Sequence, residues 1–183
     1  MTMKQELGHD AIMNTIINAI NLMALSATTA PRSAGKDFVK IKSLYGNDVV
    51  KLGEEMIKYG QNYQKRNFDR DGANVKKSPA ILLIGLKNAE PVGLNCGACG
   101  FNYCAECKAH SGPEFNGPLC AFRILDMGIA IGSAVKMAGI ISVDNRIMYR
   151  AGVVAKKMGI IEADFVMGIP VSATGKNIYF DRK

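Results

Sequence analysis

The sequence predicts an α+β domain that carries an inserted cysteine-rich module, and three observations lead to this prediction. Amphipathic helical patterns alternate with short apolar runs of strand length along the 183 residues. One run, residues 79–85, is apolar throughout, which is typical of a strand buried on both faces of a sheet. All five cysteines lie within residues 96–120. We therefore expect a single domain over residues 1–183, with the inserted module at 93–122.

The N-terminal half contains two predicted helices and two predicted strands. Residues 10–27 have the apolar period of a helix, and Pro31 ends the pattern because proline cannot continue a helix. A strand is predicted at 38–41 and a second amphipathic helix at 48–65. The charged segment 66–78 contains glycine and asparagine and is predicted to be a mobile linker before the buried strand.

The chain after the cysteines is predicted to be mainly helical. Residues 122–141 are apolar on nearly all sides and predict a buried helix. A further helix is predicted at 144–158, ended by Gly159, and a last strand at 165–170. Together these elements predict one layer of helices on a mixed sheet.

Composition and charge narrow the class of protein. Hydrophobic residues make up 48% of the chain, as in ordinary soluble proteins. The formal charge of +7 suits an acidic partner, but the lysines and arginines are scattered and no nucleic-acid-binding motif accompanies them, so nucleic acid is not an expected ligand. Asparagines interrupt the apolar run at 12–30 and acidic residues precede it, which argues against a signal peptide or a membrane span. An odd number of cysteines favours the reducing cytoplasm.

The cysteine spacing, C-x2-C-x4-C-x2-C-x12-C, predicts an iron–sulfur site. Four thiolates complete a [4Fe–4S] cluster, so one of the five is surplus. Gly97 and Gly100 allow the backbone to approach inorganic sulfide and to direct N–H groups toward it. Zinc is the alternative, because two C-x2-C pairs can hold Zn²⁺ tetrahedrally, although the four-residue gap between the pairs is short for such a site.

The cysteine segment resembles the four-cysteine [4Fe–4S] module of electron-transfer and corrinoid iron–sulfur proteins. The shared pattern is C-G-x-C-G-F-x-x-C with a distant fourth cysteine. The cluster ligands that this resemblance implies are Cys96, Cys99, Cys104 and Cys120. Cys107 lies outside the pattern and is either an alternative to Cys120 or a free thiol beside the cluster.

The resemblance continues to the end of the chain from about residue 92. Residues 126–134 and 168–182 resemble a family of uncharacterised prokaryotic proteins described as containing a ferredoxin domain. Residues 23–31, with the polar loop and strand that follow, are similar to the A-x-x-A-P segment of the nitroreductase family. The second resemblance implies a nitroreductase-like α+β fold and a homodimer with flavin mononucleotide (FMN) at its interface.

Four cations are candidate ligands of the flavin phosphate, because a phosphate is held by a small number of cationic donors. They are Arg32, Lys36, Lys176 and Arg182. Solvated loop charges are the alternative interpretation of the same residues.

These observations predict an iron–sulfur redox protein that transfers single electrons to or from a redox partner protein or a small-molecule acceptor. Bound flavin would make it an oxidoreductase of the nitroreductase type. The alternative is a zinc-stabilised binding module without redox activity that holds an anionic partner. A third interpretation is a labile cluster that delivers or senses iron.

Overall fold

The computed structural model describes residues 8–180, which form five α-helices and six strands. The helices are α1 (His9–Thr28), α2 (Asn47–Asn62), α3 (Phe68–Lys76), α4 (Ala121–Ile140) and α5 (Tyr149–Lys157). The strands are β1 (Val39–Tyr45), β2 (Ala80–Leu86), β3 (His110–Ser111), β4 (Asn116–Gly117), β5 (Asp144–Asn145) and β6 (Phe165–Ser172). The predicted α+β class, with helices flanking a sheet, is confirmed.

The central sheet has the strand order β1-β2-β6-β5, and every strand pair within residues 8–180 is antiparallel. The expectation of a mixed sheet therefore needs correction. An apolar run such as β2 indicates burial on both faces of the sheet. It does not indicate whether the neighbouring strands run parallel or antiparallel to it. The small strands β3 and β4 form a separate hairpin inside the cysteine module.

Helices cover both faces of the sheet, so the predicted single helical layer is also corrected. Leu82 and Ile84 of β2 point into a core that α1 and α4 complete. Ile81 and Leu83 point the opposite way, into a second core shared with α2, α3 and α5. All seven residues of β2 are buried, which explains why the strand has no polar alternation.

The predicted linker at 66–78 is a helix, α3, which lies against α2. Phe68 and Val75 are buried, and the two helices approach most closely where Gly53 faces Gly72. A Cβ built on Gly53 would lie 2.6 Å from the carbonyl oxygen of Gly72. The charged composition of this segment gave no helical pattern of apolar residues. Few apolar side chains are needed to pack α3 on α2, because two glycines let the helix backbones come close together.

The predicted helix at 144–158 begins only at Tyr149. Asp144 and Asn145 instead pair with Ser172 and Val171 at the edge of the sheet, and Met148 forms an isolated bridge to Gly168. This edge strand is too short to produce an alternating pattern in the sequence.

Helix α1 explains the apolar N-terminal run. By length and composition alone, residues 11–28 would suffice to cross a membrane. Ile16, Ile20 and Met23 are almost fully buried against the sheet and α4, so one face of this helix belongs to the core of the domain, whereas Leu22 and Leu25 remain exposed.

Gly152→Ala is expected to destabilise the domain by about 3 kcal/mol or more, the upper end of the usual cost of overpacking. A Cβ at this position would lie 1.9 Å from the carbonyl oxygen of Val166, so α5 would have to leave β6. Urea unfolding measures the effect. Gly175→Ala is the matched control, because nothing lies within 4 Å of the new Cβ. Equal stability of the two variants would contradict the packing described here.

Candidate metal centre

The cysteine module occupies one end of the sheet. The chain leaves β2 at Leu86, where the N–H of Lys87 still donates to the carbonyl of Phe38, and returns at Cys120, the residue before α4. At the same end, β1 begins at Val39 and β6 begins at Phe165. Both residues lie opposite Leu86 in the sheet, one on each side.

The five thiols differ in exposure. Cys107 and Cys120 are buried, with 7% and 5% of their surface exposed. Cys99 and Cys104 are partly exposed, and Cys96 is exposed. The structure therefore encloses one side of the module and leaves the Cys96 side open to solvent.

Four of the thiols are electrostatic neighbours. Burial, a hydrogen bond to Cys99 and the negative charges of Cys99, Cys120 and Cys104 together raise the pKa of Cys107 to about 11. Cys107 is thus placed among three of the four predicted ligands. Among residues 8–180, no three His, Cys, Asp or Glu side chains lie close enough to hold a metal ion in the present arrangement. The thiols lie in one region of the chain but do not converge on a single metal position.

Local backbone geometry explains how the cysteines come together. Gly97 and Gly100 have φ angles of 75° and 87°, in the left-handed region that glycine adopts without strain, and the N–H of Gly100 donates to the carbonyl of Gly97. Asn95 makes two bonds to Cys104: its side-chain oxygen accepts from the Cys104 N–H at 2.8 Å, and its own N–H lies 3.3 Å from the Cys104 Sγ. Hydrogen bonds from backbone N–H groups to cysteine sulfurs are typical of iron–sulfur sites.

Cys104 and Cys107 lie on one short turn. A 3₁₀ helix spans Cys104–Glu106, and the N–H of Cys107 donates to the carbonyl of Cys104 at 3.1 Å. The carboxylate of Glu106 accepts from the N–H of Tyr103 and fixes the start of this turn. The second C-x2-C pair is therefore part of an ordered turn.

Cys120 is the N-cap of α4, a helix of 20 residues. The positive end of the helix dipole points at this position, which suits a negatively charged metal ligand. Its carbonyl accepts the first helical hydrogen bond, from Ile124 at 3.1 Å.

A buried ion pair holds the start of α4 to the rest of the site. Arg123 and Asp126 have side chains that are 1% and 4% exposed, and they are 3.1 Å apart. Arg123 Nε also donates to the carbonyl of Glu90, and Nη1 donates to the carbonyl of Ser33, each at 2.8 Å. Asp126 Oδ1 accepts from the N–H and the hydroxyl of Ser33 at 2.8 and 2.7 Å. The sequence interpretation missed this pair, although two opposite charges three residues apart in an otherwise apolar helix are a recognisable signal.

A second anchor joins the β3–β4 hairpin to the body of the domain. Glu114 accepts from the hydroxyls of Tyr59 and Tyr149 at 3.3 and 3.0 Å and pairs with Lys65 at 3.2 Å. The ring of Phe115 packs on Phe165, with centroids 4.4 Å apart. The module is therefore attached on two sides, at Glu90 and at its hairpin.

The predicted phosphate ligands are not brought together within one chain. Arg32 is nearly buried and closes the end of α1, since it donates to the carbonyls of Ala27 and Ala30 and pairs with Asp37 at 2.9 Å. Lys36 pairs with Glu90 at 3.2 Å. Both lie at the module end of the sheet.

Lys176 lies at the other end of the sheet. It follows Ser172 at the end of β6, and its neighbour Asn177 donates to Asp144 there. A strand of seven residues separates the two ends by about 20 Å. Arg182 lies outside the described residues. Of the three predicted cations within residues 8–180, one chain therefore brings at most two, Arg32 and Lys36, to any one phosphate.

Fold and site together define a protein with a nitroreductase-like body and a thiol-rich module at one end of its sheet. The chain belongs to the family described as uncharacterized proteins containing a ferredoxin domain, whose model matches residues 116–182. An uncharacterized protein of Archaeoglobus fulgidus is 50% identical over 163 residues, which is 88% of each chain. The matched part of the family model contains Cys120 but not the other four cysteines.

Solved structures confirm the predicted nitroreductase-like fold. A nitroreductase with bound FMN from Bacteroides fragilis aligns with a TM-score of 0.59 at 10% identity, covering 91% of this chain and 81% of that one. A nitroreductase with bound FMN from Desulfitobacterium hafniense aligns with a TM-score of 0.56 at 13% identity, covering 94% and 82%. Identities this low show the shared fold and no more.

Glu114→Gln is expected to lower the pKa of Tyr59, which burial and then the Glu114 carboxylate raise to about 12. Burial remains in the variant, so the pKa should fall only part of the way toward the ordinary value of about 10. Because the native state keeps a proton that the unfolded chain loses above about pH 10, the variant should also lose less stability at alkaline pH.

NMR of ring-labelled tyrosines measures this change, with Tyr59→Phe to assign the signal. Tyr179 is the internal control, because its pKa of about 12 is caused first by burial and it has no contact with Glu114. An unchanged pKa at Tyr59 would contradict the proposed anchoring of the hairpin.

Proposed function

We propose that this chain is an iron–sulfur redox protein that binds one [4Fe–4S] cluster in the cysteine module. The ligands in this proposal are Cys96, Cys99, Cys104 and Cys120, with Cys107 as an alternative. The observation that carries the proposal is the gathering of thiols around buried Cys107, next to the first turn of α4. Membership of the family of proteins that contain a ferredoxin domain supports this proposal.

The residues of the module suit this cofactor chemically. All donors are thiols, the ligand type of iron–sulfur clusters, and the N–H of Asn95 is directed at the sulfur of Cys104. Burial of Cys120 excludes water from the inner side. A cluster saturated by four thiolates has no open coordination position, and the chemistry it supplies is one-electron transfer.

The exposed side of the module is where electrons would enter or leave. Leu94 and Tyr103 flank the cysteines and are 58% and 63% exposed, an unusual exposure for large apolar side chains. A redox partner protein or a small-molecule acceptor would approach here, beside exposed Cys96. The cytoplasm suits such a site, because its thiols stay reduced there.

A flavin-dependent oxidoreductase is the second candidate, and the FMN-bound structures that share the fold favour it. The three predicted cations within residues 8–180 do not form one phosphate site in a single chain, since Lys176 lies at the opposite end of the sheet from Arg32 and Lys36. A flavin would therefore need donors from a second copy of the chain or from other groups. We derive no step of the reaction through flavin.

A homodimer is part of the proposal. Helices α1 and α4 lie side by side on one face of the sheet and carry large apolar side chains that are exposed in the single chain. These residues are Leu22, Leu25, Leu125, Ile129 and Ile140. A second copy of the chain that covered them would remove this apolar area from water.

Ile129→Lys is expected to shift the protein from dimer to monomer without unfolding it. The side chain is 46% exposed in the single chain, so a lysine there costs little until a partner buries it. Sedimentation velocity measures the shift. Lys58→Ala on α2 is the surface control, and a parent protein that sediments as a monomer would refute the homodimer.

Metal and flavin analysis of protein purified without oxygen tests the leading proposal. Four iron and four sulfide per chain, with a broad visible absorption band, are expected for one cluster. Bound flavin in addition would support the oxidoreductase. One zinc per chain and no colour would overturn the proposal in favour of a zinc-stabilised module, whose binding of an anionic partner would weaken with salt.

Cys99→Ala is expected to remove most of the iron while leaving the fold intact, because the thiol is lost but the anchors at Glu90 and Glu114 remain. Iron content and far-ultraviolet circular dichroism are the two measurements. Retention of the full iron content by this variant would refute the ligand assignment.

A further inference from the structure

Three arginines surround one buried carboxylate on the side of the sheet that α3 and α5 cover. Asp71, in the first turn of α3, is 2% exposed. Its Oδ1 accepts from Nε and Nη2 of Arg70, each at 2.9 Å, and its Oδ2 accepts from Nη1 of Arg150 at 2.8 Å. Nη1 of Arg146 lies 3.8 Å from Oδ1. Within residues 8–180, Asp71 is the one carboxylate that pairs with these three side chains, which we call the arginine cluster.

The arginine cluster has more positive charge than its carboxylate balances. Three guanidinium charges meet one carboxylate charge, so two positive charges remain uncompensated at short range. Arg150 also lies in the first turn of α5, where the positive end of the helix dipole disfavours a cation. The first turn of α5 contains no acidic residue, and the N-cap Met148 makes no side-chain bond to it. A bound anion would offset both the mutual repulsion and the unfavourable dipole.

The arginine cluster keeps hydrogen-bond donors that can reach such an anion. The three side chains are 39%, 22% and 23% exposed for Arg70, Arg146 and Arg150. Each guanidinium has five N–H donors. Besides the bonds to the carboxylate, Arg150 Nε donates to the carbonyl of Arg66 and Arg146 Nη1 to that of Tyr179. In the described part of the chain, no arginine nitrogen is both buried and without a partner, so the remaining donors reach solvent.

Aromatic rings hold two of the guanidinium groups in place. The Cζ of Arg146 lies 5.4 Å from the ring centroid of Phe180. The Cζ of Arg150 lies 5.7 Å from the ring centroid of Phe68 and 5.6 Å from that of Tyr149. Such contacts favour a cation over the ring face. Because these side chains are positioned before a ligand arrives, binding requires little further ordering.

We propose that the arginine cluster binds a phosphate dianion, either free or as part of a small phosphate ester. The planar guanidinium group matches the oxygens of a phosphate with paired N–H donors, and a dianion balances the two surplus charges. The cluster lies on the face of the sheet opposite α1 and α4, and none of its residues belongs to the cysteine module. The inference is therefore independent of the proposed cluster and of the proposed homodimer.

Thermal unfolding of the protein as purified tests the site, because a ligand that binds only the native state raises the melting temperature by mass action. The probes are inorganic phosphate and glycerol 3-phosphate at millimolar concentration and about pH 8, where both are mainly dianions. Sodium chloride at matched ionic strength is the reference. A rise in melting temperature beyond that in chloride supports the site. A stronger effect of the ester indicates that the phosphate belongs to a larger molecule, and an equal effect indicates free phosphate. A rise no larger than in chloride with either probe would overturn the proposal.

Arg70→Gln shows whether the effect arises at the arginine cluster. The bonds of this side chain go to the neighbouring Asp71, which keeps its bond to Arg150, so the variant should fold. Its apparent affinity for phosphate should fall at least about tenfold, because a charged hydrogen-bond donor is lost. Lys51→Gln is the matched control, since it removes one positive charge from an exposed pair with Asp48 on α2.

The control variant should respond to phosphate as the parent protein does. An undiminished response in Arg70→Gln, or an equal loss in both variants, would refute the site. Arg146→Gln repeats the comparison at a second member of the cluster, so the result does not depend on the folding of one variant. Circular dichroism of each variant reports whether the fold is retained.

Discussion

The ion pair between Arg123 and Asp126 is the contact on which the arrangement of the site depends. It is buried, and it joins three segments that are far apart in sequence: the loop at Ser33, the start of the module at Glu90 and the first turns of α4. A buried charge left without its partner costs several kcal/mol, so these segments are strongly held in one arrangement. Cys120 precedes Arg123 by one turn and is positioned by the same pair.

The module consequently has a buried inner side and an exposed outer side. Cys120, Cys107 and the hairpin at Glu114 are attached to helices and to the body of the domain. Cys96 is exposed, although its neighbour Asn95 is bonded to Cys104. The proposed electron transfer would benefit from this division, because the buried side excludes water while the exposed side is accessible to a partner.

Sequence patterns predicted the elements whose burial gives a clear period, and missed those that depend on contacts distant in sequence. Helices α1 and α4 and strand β2 were predicted because their apolar residues recur along the chain. Helix α3 was missed because its stability comes from the approach of Gly53 to Gly72, which no local pattern reveals. The cysteine spacing predicts a metal site from the sequence, whereas the burial of Cys107 and Cys120 appears only in three dimensions.

The predicted cations show why a shared fold does not transfer a cofactor. The segment at 23–31 that resembles nitroreductases ends α1, and the guanidinium of Arg32, the next residue, donates to the carbonyls of Ala27 and Ala30. Lys36 is paired with Glu90, just before the module. The cations nearest the module thus make contacts within the chain. The thiols of this protein are the side chains that would hold the proposed cluster, whereas only the shared fold favours the flavin.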